Sequence, residues 1–138
     1  MSNNMEAFDR GTALIFSRLY DVFPKRIALN IEELDEKATE EEKALYGEAA
    51  AFLCAEGFIR FAETYYGDSN SLETLIGAQL TSKGLAVLKA IPTSIETKRS
   101  IIDVTKDALK SGSNEFLSKT ISELITKGLS ISLATFTS

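Results

Sequence analysis

The sequence predicts an α+β fold, mainly helical, with a small antiparallel sheet and a C-terminal helical extension. Three features carry that reading. Apolar residues recur at helical spacing behind threonines able to cap a helix, at Thr39, Thr81 and Thr93. Two runs of strand composition flank the turn cluster Gly67-Asp68-Ser69-Asn70-Ser71. Leu117, Ile121, Leu124, Gly128 and Ile131 then follow a 4-3-4-3 spacing, the seam of helices that pack lengthwise.

Along the chain, residues 1–5 read as a frayed tail. From Glu6, the apolar residues Phe8, Ala13, Ile15, Phe16, Leu19, Tyr20 and Phe23 form a helical stripe, with Arg10, Arg18 and Asp21 between them. Pro24 stops this helix, because it lacks an N–H and constrains its predecessor. Residues 26–29 alternate as a short strand, and residues 31–34 give at most one or two helical turns. Thr39 and Glu42 form a capping box, hydroxyl and carboxylate each satisfying an orphan amide. The stripe behind it is Leu45, Tyr46, Ala49, Phe52 and Leu53, closed by Gly57 at the C′ position.

Residues 58–65 and 72–80 are the strands of a hairpin, the second with imperfect alternation. Thr81 caps a helix carrying Leu85, Val87, Leu88 and Ile91, ended by Pro92. A second box, Thr93 with Glu96, opens a helix through Ile95, Ile101, Ile102, Ala108 and Leu109. Gly112 is either a break or a weak point in one longer helix. Residues 130–138 read equally as helix end, strand or tail. This divides the chain into a domain over residues 1–92 and a helical extension over 93–138.

Composition narrows the function. The chain has no histidine, which removes Ser-His and Cys-His nucleophile pairs, histidine-bearing zinc sites and the commonest general acid/base. Cys54 is its only cysteine, too few for a thiolate-rich metal site and suited to a reducing compartment. Adjacent Ser82 and Lys83 do not face each other on a helix, and the oxygen-rich stretch 68–73 lacks the spacing of an EF-hand loop. We therefore expect a non-catalytic protein with no cofactor and no metal. Residues 1–10 show neither a basic start nor an apolar run, and no stretch is long and apolar enough for a membrane span, so the expectation is cytoplasmic.

Charge is unevenly spread. Residues 30–63 hold ten acidic and three basic side chains, whereas residues 93–138 hold five acidic and six basic. Two stretches then carry a resemblance. AAAFLCAEGFIRF (residues 49–61) is similar to the run from a third helix into the first wing strand of a winged helix-turn-helix domain. AQLTSKGLAVLKAIP (residues 78–92) resembles the entry from the second wing strand into a closing helix. The likeness covers roughly residues 6–92 and leaves the final third unmatched.

In members that bind DNA, the third helix enters the major groove and the wing touches the backbone. The resemblance carries these roles to Lys43, Tyr46, Gly47 and Ala50 on the helix, and to Tyr65, Tyr66, Ser69 and Asn70 in the wing. Here the pattern departs. Glu40, Glu41, Glu42, Glu48 and Glu56 accompany a single lysine, with no arginine or asparagine to read a base edge. The glutamates are either a solvated face with helix-dipole stabilisation in the first turn or a surface that docks a partner.

Two functions follow. The first is a protein-interaction or assembly module whose contacts are Glu41 and Glu48 on the acidic helix and Ile121, Leu124 and Ile125 on the C-terminal seam. A homodimer formed through that seam, or another protein partner, is expected. The alternative is a dimeric DNA-binding regulator using Lys43, Tyr66, Asn70, Lys83, Lys98 and Arg99.

Overall fold

Nine regular elements and one 3₁₀ turn order the described residues. The computed structural model describes residues 3–67, 72–92 and 98–137, with side chains described as far as residue 131. Helix α1 (Asn4–Val22) leads into strand β1 (Ile27–Asn30), a 3₁₀ turn (Ile31–Glu33) and helix α2 (Glu40–Ala55). Strands β2 (Ile59–Arg60), β3 (Glu63–Tyr66) and β4 (Leu72–Leu80) follow. Helices α3 (Ser82–Lys89), α4 (Ile101–Ser111) and α5 (Asn114–Thr137) complete the described chain. The fold is thus α+β and mainly helical, with a small antiparallel sheet.

Strand β4 organises the sheet. It pairs antiparallel with β1 on one side and with both β2 and β3 on the other. The single strand expected over residues 58–65 is split at Phe61 and Ala62, opposite Gly77, which sits at φ 73°. That left-handed glycine also explains the imperfect alternation of β4. Leu75, Ala78 and Leu80 all face the core, because the irregularity shifts the period-two pattern by one residue.

Caps set the helix ends as local chemistry requires. The Asn3 side chain accepts from the Glu6 amide, so α1 starts inside the stretch expected to fray. At α2 both halves of the Thr39–Glu42 box are formed. Thr81 accepts from the Gly84 amide while its hydroxyl donates to the Gly57 carbonyl (2.5 Å), tying α3 to the end of α2. The Thr93–Glu96 box lies outside the described residues. Residues 98–100 are not helical, and Ser100 caps α4 from Ile101, later than the sequence suggests. Gly112 takes φ 72° and separates α4 from α5, which settles it as a break. The chain continues as helix through Thr137.

Helix α1 is buried on more than the one stripe its sequence displays. Ala7, Gly11, Thr12, Ala13, Ile15, Phe16 and Leu19 are all enclosed, because α2 covers one side while α4 and α5 cover another. The seam residues Leu117, Ile121 and Leu124 belong to the same core as Leu19, Leu53, Leu80 and Leu88. A boundary at residue 92 therefore separates no two cores: the helical extension packs back on the first part of its own chain. Among the described residues no helix is long and apolar enough to cross a membrane.

Candidate functional site

The outward face of α2 is built by the capping box at one end and the core stripe on the opposite side. With Tyr46, Gly47, Ala49, Ala50 and Leu53 turned inward, Glu41, Ala44, Glu48, Ala51 and Ala55 are left exposed at 3-4-3-4 spacing. Glu40, Phe52 and Glu56 flank this stripe, also exposed. The expected position of Phe52 in the core stripe is thus corrected: it is 41% exposed at the edge of the acidic face. Its ring meets Phe8 edge-on, with centroids 5.5 Å apart.

Three of the helix positions to which the resemblance carries a DNA contact are buried. Tyr46 and Ala50 are fully enclosed, and Gly47 packs against Leu72 at the start of β4. The reason lies in the α1–α2 crossing, where the Tyr46 ring lies against Gly11 so closely that any side chain there would collide with it. The Tyr46 hydroxyl reaches Asp35 (3.4 Å), whose other contacts are Arg10 Nε (2.8 Å) and the Lys37 amide (3.1 Å). Burial, together with the Asp35 charge, pushes the Tyr46 hydroxyl up to about 12. Burial also pushes the Asp35 carboxyl upward, but the Arg10, Lys37 and Tyr46 contacts outweigh it and hold the group below its ordinary value.

The C-terminal half of the expected interaction site is corrected as well. Ile121 and Leu124 are 1% and 0% exposed within the chain itself, so neither is presented to a partner. Their apolar surface is satisfied by α1 and α3, which removes the basis for a dimer formed through the seam. Ile125 is half-buried and lines an open groove beside Phe8 and Phe52. Glu41 and Glu48 remain where the sequence places them, on the open face of α2.

The described residues of the nucleic-acid alternative are dispersed over α2, β3, α3 and the link before α4, and three of them, Lys43, Lys83 and Arg99, are engaged. Lys43 turns back to Glu32 (3.5 Å) and Glu40 (3.8 Å). Lys83 donates to the Glu56 carbonyl (2.7 Å) and lies over the Phe58 ring (4.6 Å). Arg99 pairs with Asp107, while Lys98 is exposed. Tyr65 and Tyr66 are exposed on β3, and Ser69 and Asn70 lie outside the described residues. Cys54 is a free, half-buried thiol against the core.

Sequence reasoning missed Asp9. It stands between Phe8 and Arg10 on α1 and is only 6% exposed. Burial raises its carboxyl above the ordinary value, the Ser118 hydroxyl bond opposes the rise and the Glu6 charge adds to it. The signal in the sequence was a carboxylate on the helix face that α5 covers, visible only once α5 is known to lie there. Among the described residues, no cluster of three or more metal-ligating side chains forms. No protein-family model matches this chain, nor does any curated protein or solved structure.

Proposed function

We propose that this protein is a non-catalytic protein-interaction module on a winged-helix-like scaffold, with α2 as its docking element. The observation that carries the reading is the exposed stripe Glu41, Ala44, Glu48, Ala51 and Ala55. Small side chains at heptad spacing let another helix approach closely, since the distance between packed helices depends on the side chains at the contact. The carboxylates beside them select the partner. A second copy would set this acidic stripe against itself, whereas a basic protein surface would complement it.

The scaffold reading rests on the order helix, strand, short turn, helix, strand, hairpin and helix, with β4 between β1 and β3. On such a scaffold α2 holds the position used for reading DNA, and here it would set glutamates against phosphates. The absence of histidine supports a non-catalytic role.

Two measurements test this. The purified protein at low ionic strength should show no salt-dependent binding to random duplex DNA. Binding in the micromolar range that weakens steeply with salt would instead make it a regulator. Crosslinking in cells should join α2 to a partner with a basic contact surface, and the paired substitutions Glu41→Lys and Glu48→Lys should abolish the product. A partner still crosslinked by that variant would remove α2 from the contact.

A further inference from the structure

Two recesses lie side by side where the start of α1 meets α5. The larger is an open groove of about 520 Å³, walled by Phe8, Phe52, Ile121 and Ile125, with Met5, Asp9 and Ser118 along it. Its volume falls in the range of small-molecule sites, roughly 300–1,000 Å³, and like them it is mostly apolar with a few polar groups. The smaller, of about 330 Å³, shares Met5, Asp9 and Ser118 with the first and adds Glu6, Glu115, Asn3 and Asn114. One recess is therefore apolar and its neighbour acidic, and no lysine or arginine lines either.

Asp9 sits at the junction. Glu6 and Glu115 occupy the first turns of α1 and α5, where a helix dipole favours a carboxylate. Asp9 is a turn further along α1 and has no such explanation. It is more than nine-tenths buried, and none of the ion pairs among the described residues includes it. Ser118 supplies a hydrogen bond but no charge. A buried carboxylate without a countercharge is costly, and a cation brought beside it recovers part of that cost. The cation is not a bare metal ion, because the carboxylates here do not converge into a metal-ligating cluster.

We infer that the paired recesses bind an amphiphilic ammonium, its apolar body in the groove of Phe8, Phe52 and Ile125 and its cationic head against Asp9. The aromatic walls suit such a ligand twice over, through apolar contact and through the attraction of a cation to a ring face. This inference is independent of the contact proposed for the alanine stripe of α2.

The test uses three probes of one shape on the full chain: phenylbutylamine as the cation, phenylbutanol as its neutral analogue and phenylbutyrate as the anion. Amide spectra recorded during titration report both affinity and location. The amine should bind saturably, shift Asp9, Phe52, Ser118 and Ile125, and bind about tenfold or more tightly than the alcohol, with the anion weakest. Asp9→Asn should erase the preference for amine over alcohol while leaving the alcohol's affinity unchanged. Equal binding of all three probes, shifts centred elsewhere, or a preference that survives Asp9→Asn overturns the inference. The comparison of the three probes on the unaltered protein decides the matter even where the variant fails to fold.

Discussion

At the scale of single residues, Asp35 shows how one side chain fixes the direction of a helix. It accepts from Arg10 on α1 and from Tyr46 on α2, so the two helices share one polar junction beside the core. This junction keeps Tyr46 inward and, as a result, leaves the glutamates and alanines of α2 outward. Because the folded state holds the Asp35 carboxyl below its ordinary value, its contribution is fully present above that ordinary value. It is lost as pH falls through the lowered one. Asp35→Asn should therefore cost about 1–2 kcal/mol at neutral pH, between the values of exposed and buried pairs. The difference in thermal midpoint from the unaltered protein should shrink on acidification below the ordinary aspartate range. A gap that stays constant down to strong acid would show that the charge of Asp35 contributes nothing.

At the scale of elements, α5 is positioned by an aromatic ring. Phe58 stands three residues beyond the end of α2, packs edge-on against Phe16 of α1 (5.9 Å) and receives Lys83 of α3 over its face. Helix α5 crosses this ring at Gly128, where an added Cβ would lie 2.3 Å from the ring. On an open helix, glycine to alanine stabilises by roughly 0.5–1 kcal/mol. Here the sign should reverse, and Gly128→Ala should destabilise by about 1–3 kcal/mol because the ring or the helix must move. Chemical denaturation measures this directly. A stabilised variant would mean that α5 does not rest on Phe58. The seam that looked available for a partner is thus the surface by which α5 grips its own chain.

At the scale of the whole molecule, the consequence is cooperativity. Ile101, Leu117, Ile121 and Leu124 lie in one core with the residues of α1, α2 and the sheet. Deleting residues 113–138 should therefore uncover α1, α3 and Phe58 and abolish a sharp thermal transition, followed by circular dichroism. If the shortened chain kept the full midpoint, the extension would be an independent appendage after all. The same packing bears on assembly. With the seam closed, the acidic stripe of α2 and the groove beside Phe52 are surfaces that remain open to other molecules.

Local chemistry alone determined most of the elements. The Thr39–Glu42 box, the Thr81 cap and the apolar periods are written over a few residues each, so neighbours in sequence suffice to read them. Tertiary structure decided everything that depends on what covers what. The period of α1 named one stripe, but three helices enclose it. Phe52 fits the helical period of a core residue, yet the α1–α2 crossing, set by Gly11, Tyr46 and Asp35, turns it out to the surface. Asp9 became a site only because α5 folds over it. A helix's sequence displays its own periodicity, whereas burial belongs to pairs of elements distant in the chain, and only their packing fixes which face meets water.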